Sequence, residues 1–373
     1  MTVQRQAEER WSMIQDPVLD DFLRRVPKTD LHIHLLGAIR PVTLMTLAQK
    51  RGLALPAGDA GQLYAYRDFS GFLNVLRLAA RCLVDREDFA RVAYELLEDA
   101  HRKGNCRHLE LSFNPTVFFD NQVRYPTVVD GLIDGMRAAR RDFAISSLLI
   151  PCIDRERPAQ AARAMVEQVV QHRRDEVAGI GMDFAEGKGP PQLFIEAYRL
   201  AARNGLRRTA HVCEDNQPLG LAPPGHLRIC IEDLACDRVD HGYNLLADPK
   251  AVIAAREQGI AFDVTVCTAK KSNLDNRMDA IKLMHDAGLN LNIGTDDPYL
   301  HHTDLEHSWA KLFSHCGWGI HQARQLALAG VDASWLDDTD KRVLREEFSR
   351  EIDRLIVQVW PRIKPSYIDE RAA

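Results

Sequence analysis

The stretch "FIEAYRLAARNGLRRTAHVCE" (194–214) holds the fold in miniature. Its first half spaces apolar residues three and four apart, as one buried helix face does, and Asn204–Gly205 suits a helix C-terminus. Its second half, "LRRTAHVCE" (206–214), reads as a strand. The same rhythm returns in "PKAVIAAREQGI" (249–260) before "IAFDVTV" (260–266), and in "MDAIKLMHDAGL" (278–289) before "LNLNIGTDD" (289–297). Five further strands are expected at "KTDLHIH" (28–34), "CRHLELSF" (106–113), "ISSLLIPCI" (145–153), "VAGIGMDF" (177–184) and "DRVDHGY" (237–243). Most are near-continuous apolar runs, as parallel strands covered on both faces must be. Eight strands mostly about thirty residues apart predict an α/β fold, a closed (β/α)8 TIM-type barrel, with an open doubly wound sheet as the competing arrangement. No glycine-rich dinucleotide or P-loop signature follows any strand.

The chain of 373 residues shows no linker-like break, so residues 1–373 are expected to form a single domain. The interval 41–105 is helical throughout and reads as an insertion over the barrel mouth; the stretch from Asp304 onward reads as further helices. A net charge of −5 argues against a nucleic-acid partner. The opening "MTVQRQAEERWSMIQ" lacks a signal-type apolar core, and "FAISSLLIPCI" is too short to cross a bilayer, so a cytoplasmic location without membrane association is expected. The eight cysteines form no C-x-x-C pair and read as free buried thiols.

In such barrels chemistry sits at the C-terminal ends of the strands. There this sequence breaks its apolar runs with His32 and His34, His211 and Glu214, His241, and Asp296 with Asp297. Each is weak evidence alone: a strand-end histidine is usually structural, and "TDDP" is a plausible turn. A barrel, however, brings these ends to one mouth, where buried imidazoles and carboxylates need a cation or full pairing. His32, His34, His211 and Asp296 are a ligand set suited to Zn²⁺, one per chain, which would lower the pKa of water to about 7. Glu214 is then the candidate general acid, and His241 the residue that holds and deprotonates the water. Asp297 remains to accept a hydrogen bond from a substrate.

The ordered motifs "LHIHLLGAIRP", "HVCED", "DHGY" and "NIGTDDP", with "LELSFNP", resemble the adenosine deaminase family of the amidohydrolase superfamily, from about Lys28 to about residue 350. The resemblance implies a zinc-dependent barrel that hydrolyses the 6-amino group of a small aminopurine. Within it, Glu214 protonates ring N1, His241 orients water and Asp297 bonds N7. Three departures bear on the substrate. Leu36 stands where adenosine deaminases have an acid for the ribose and adenine deaminases a glutamate. Glu186, followed by Gly187, stands where a glycine meets purine N3, and Cys213 replaces the glycine of H-A-G-E. Leu36 predicts an apolar wall opposite the N9 substituent. A different amidohydrolase opening a cyclic amide, and a zinc-binding barrel without turnover, are the alternatives. The H-x-E/P-C-x-x-C deaminase reading fails because Arg155 stands at the second cysteine position. His301 and His302 follow the metal aspartate and read either as outer partners of the metal site or, more readily, as a loop pair partly in solvent.

Overall fold

The computed structural model describes residues 16–55, 60–64, 69–268 and 273–368. Nine strand segments run parallel to their neighbours: β1 Lys28–His34, β2 Cys106–Phe113, β3 Ser146–Asp154, β4 Gly179–Asp183, β5 Arg207–Arg208, β6 His211–Val212, β7 Arg238–His241, β8 Ala261–Thr265 and β9 Asn290–Gly294. They form two ladders, β1-β2-β3-β4-β5 and β6-β7-β8-β9. Hydrogen bonds cross both seams. Between β5 and β6, Thr209 N donates to Ile180 O (3.0 Å) while Ala210 O accepts from Asp240 N (3.0 Å). At the other seam, Asp296 N donates to His32 O and His34 N to Asp296 O, each at 2.8 Å. β5 and β6 are therefore the two halves of the single strand expected at 206–214, and the circuit of eight is that of a (β/α)8 barrel.

The expected helix at 194–206 begins as the 3₁₀ turn Pro191–Phe194, continues as Ile195–Arg203, and stops before Gly205 at φ +68°. The interval 41–105 needs a correction. Its last helix, Arg86–Gly104, is not over the mouth but packs in the outer ring against helix Tyr125–Phe143. Gly131 and Gly135 make that approach possible: a Cβ there would lie 2.4 Å from Arg86 O and 2.2 Å from Ala90 O. Helices Leu305–Cys316, Ile320–Ala333 and Asp338–Val359 supply the expected C-terminal helical region. All eight cysteines are free and buried. No helix among the described residues is long and apolar enough to cross a membrane.

Apolar side chains fill the space between strands and helices. The barrel interior also holds a buried ion network. Arg238 contacts Glu110 and Asp263, each at 2.7 Å, and stacks 4.1 Å from the Trp335 ring. Burial raises the Glu110 pKa, but Arg238 outweighs it and holds the group at about 2. Arg238 also donates to Leu31 O (3.2 Å), and Asp263 O contacts His32 Nδ1 (3.1 Å), so the network braces the strand that carries His32.

Candidate active site

Strand ends at the mouth leave the β conformation through left-handed backbone at non-glycine residues: Phe184 (φ +65°), Cys213 (+55°), His241 (+71°) and Asp296 (+63°). Such geometry costs about 1–3 kcal/mol per residue and persists where the surroundings enforce it. It explains the preference for glycine at position 213, and it turns His241 and Asp296 off their strands toward the barrel axis.

The turned residues meet. His32 Nε2 lies 3.3 Å from His34 Nε2, and Asp296 Oδ1 lies 3.6 Å from the first and 3.5 Å from the second. The His211 ring centroid is 4.7 Å from that of His32 and 5.1 Å from that of His34. His241 Nε2 lies 3.2 Å from His211 Nδ1 and 3.7 Å from Glu214 Oε1. Hydrogen-bond partners assign the protons. His32 Nδ1 donates to Asp263 O, leaving its Nε2 with a lone pair. Tyr243 Oη spends its proton on Thr265 O, so it accepts from His241 Nδ1–H, and His241 Nε2 then accepts from His211 Nδ1–H. His34 Nδ1 faces Asp183 at 3.6 Å, so its Nε2 also turns to the centre.

Nitrogen lone pairs thus converge beside an ionised carboxylate. Burial pushes the His34 pKa down to about 4, and burial with neighbouring imidazoles puts His211 and His241 well below the usual range. Burial would raise Asp296, but His301, His32 and His34 hold it well below the ordinary carboxylate value. Burial opposes a charge on His32 too, but Asp240 and Asp296 outweigh it and raise its pKa above the usual range. Neutral imidazoles and a carboxylate anion are the ligand forms for a divalent cation, which would take the place of that proton between His32 and His34. His32 belongs to two sets of donor atoms within 4.8 Å of one another, with His34 and Asp296 and with His211 and His241. These residues fit a divalent cation.

Glu214 is buried, and burial raises its pKa to about 7 against the pull of Arg277. Asp297 packs on the first turn of chain after β1: a Cβ on Gly37 would lie 1.8 Å from its Oδ1. Burial, then Asp296, raises the Asp297 pKa well above the ordinary value. Leu36 sits partly buried in the 3₁₀ turn Leu36–Ala38, beside this contact in sequence. The Glu186 carboxylate is engaged on both oxygens, contacting His226 Nδ1 at 2.7 Å and accepting from Glu214 N at 3.4 Å. Gly187 N donates to Gln217 Oε1 (2.8 Å), tying the loop after β4 to the loop after β6.

Four side chains at the site were not read from the sequence. Asp183 ends the apolar run of β4 as His211 ends its own, a signal that was there to be used. Arg277, on helix Leu274–Asp286, gave none, because a buried arginine does not stand out in a helical pattern. Tyr243 contacts His241, and Thr265 holds Tyr243 and also reaches Asp296. His301 lies in a loop turn as expected, but its side chain is 3% exposed, with Nε2 3.8 Å from Asp296 Oδ2, which favours the outer-partner reading over the solvent one. The short turn after β9 folds it back over the strand end.

Comparison with known proteins shows the family. A family model described as adenosine deaminase matches residues 27–351. An adenine deaminase of Schizosaccharomyces pombe is 31% identical over 339 residues, covering 87% of this chain and 90% of that protein. The crystal structure of an amidohydrolase from Burkholderia ambifaria with bound zinc superposes with a TM-score of 0.86 at 35% identity, covering 94% of this chain and 97% of that one. An adenine deaminase from Arthrobacter aurescens gives 0.81 at 26% identity, covering 88% and 99%. The chain belongs to the adenosine deaminase family, hydrolases that act on C–N bonds.

Proposed function

We propose that this chain is a zinc-dependent hydrolytic deaminase of a 6-aminopurine, base or nucleoside, releasing ammonia and leaving a 6-oxopurine. One observation carries this: Glu214, with a pKa near neutrality, stands 3.7 Å from the neutral His241 beside the imidazole–carboxylate cluster. A structural relic would not need an acid and a base poised together there.

His32, His34, His211 and Asp296 would hold one zinc ion; His241, within 4.8 Å of His32 and His211, is assigned to the water, its Nε2 exchanging the His211 contact for it. When bound, zinc would lower the pKa of water to about 7 and so supply the nucleophile. Glu214 donates its proton to ring N1, which draws electrons from C6. His241 Nε2 accepts a proton from the water that adds there, its Nδ1 fixed by Tyr243. That proton reaches the amino group, and ammonia leaves as the C6 hydroxyl returns its remaining proton to Glu214, giving the 6-oxopurine with N1 protonated. Asp297 keeps its proton, so toward N7, a lone-pair acceptor, it donates; the sequence had suggested an accepting role.

Similarity to adenine deaminases favours a purine with little on N9, and Leu36 offers no charge to a ribose hydroxyl. Glu186 and Gly187 would shape the N3 side through the loop they brace. The test is ammonia release from adenine, adenosine and 5′-deoxyadenosine by the zinc-loaded protein, with cyclic-amide opening assayed in parallel. Release from an aminopurine, abolished in Glu214→Gln with zinc retained, is expected. Cyclic-amide opening without ammonia release, or zinc binding without either activity, contradicts the reading.

A further inference from the structure

We infer that His301 is a positioning residue that orients Asp296 as a one-oxygen ligand and thereby sets the affinity of the cation site. The two oxygens of Asp296 face different neighbours. Oδ1 points to His32 and His34, at 3.6 Å and 3.5 Å. Oδ2 points away from them, to His301 Nε2 at 3.8 Å and Thr265 Oγ1 at 3.5 Å. A carboxylate held on one oxygen by protein groups offers the other at a fixed angle, and such outer partners tune metal sites strongly.

His301 is built into place. His301 N donates to Asp297 O at 2.8 Å, and Thr303 N to Pro298 O at 2.8 Å, closing the turn on itself. Tyr299 N donates to Gly37 O at 2.9 Å, pinning the turn to the end of β1. The imidazole is 3% exposed and faces the carboxylate. Thr265 alone is a weaker guide, because Arg277 Nη1 also reaches its hydroxyl, at 3.3 Å.

This rests on Asp296 being a cation ligand, and wild-type zinc binding tests that separately. Zinc affinity is measured by competition with a chromogenic chelator for wild type, His301→Ala, His301→Phe and His301→Gln, with the visible spectrum of each cobalt-substituted protein. His301→Ala and His301→Phe should bind zinc about 10–100-fold more weakly with a shifted cobalt band. His301→Gln, which keeps a donor near the Nε2 position, should recover most of the affinity. His301→Phe keeps the bulk if the alanine variant does not fold. Unchanged affinity and spectrum in His301→Ala or His301→Phe overturns the inference while leaving the zinc site standing. Two cations per wild-type chain, one lost with His301, also overturns it, by making His301 a ligand. A wild type that binds no divalent cation overturns the reading of Asp296 itself.

Discussion

Arg277 Nη2 lies 3.1 Å from Glu214 Oε1, and the same guanidinium stacks 4.6 Å from the Tyr243 ring. One buried cation therefore touches the proposed proton donor and the tyrosine beside His241. Arg277 also contacts Asp215 and donates to Cys267 O at 2.6 Å, so it cannot swing away. Burial and Arg277 act on Glu214 in opposite directions, and the balance falls at about 7.

The sign of the pH effect follows. An acid that must be protonated loses activity as pH rises through its pKa, so turnover should decline on the alkaline side of about 7. Arg277→Met removes the charge that lowers this pKa, and the decline should move to higher pH, with turnover at the optimum reduced about tenfold. The profile of kcat against pH for both proteins checks this; an unmoved inflection, or one at lower pH, counts against the assigned role.

Gly37→Ala should be severe for a one-carbon change. The new Cβ would overlap Asp297 Oδ1, 1.8 Å away, and displace it. Misplacing a substrate-binding group by about 1 Å costs roughly 100-fold in kcat/KM. Metal content should stay at the wild-type level; full activity would show that Asp297 does not touch the substrate.

Leu36→Asp should separate base from nucleoside. A carboxylate facing a ribose hydroxyl adds about 1.5–3 kcal/mol, so kcat/KM for adenosine should rise about 10–100-fold while adenine is unaffected. Parallel changes, or none, would place Leu36 away from the N9 substituent.

Inside the barrel, Glu110→Ala leaves Arg238 short of one of its two acidic partners. Breaking a buried pair from one side costs about 3–5 kcal/mol, which urea unfolding would read as a lower midpoint. A loss below about 1 kcal/mol would mean that Asp263 and Trp335 suffice.

The sequence shows the barrel where strands are apolar and regular: β1 and β2 match their expected bounds residue for residue. It misreads ends. The strand expected at 237–243 stops at His241 and that at 289–297 stops at Gly294, because His241 and Asp296 turn left-handed, and no local propensity announces that in a non-glycine residue. The fifth strand keeps both neighbours across its break, with Thr209 N bonded to Ile180 O on one side and Arg208 O and Ala210 O accepting from Asp237 N and Asp240 N on the other. The clustering of the proposed site residues was legible because polar groups at the ends of apolar strands are expensive to keep. Arg277 was not, since its place depends on how a helix folds back over the mouth; for His301 the sequence leaves an outer-partner and a solvent reading open, because only the fold of the turn decides between them.

The most direct test of the metal-centred account is zinc removal and return, with turnover of an aminopurine followed throughout. Dialysed wild-type protein should carry one zinc per chain, lose ammonia release when a strong chelator strips it, and regain it on adding stoichiometric zinc. Undiminished ammonia release from protein shown by elemental analysis to be free of metal would contradict it.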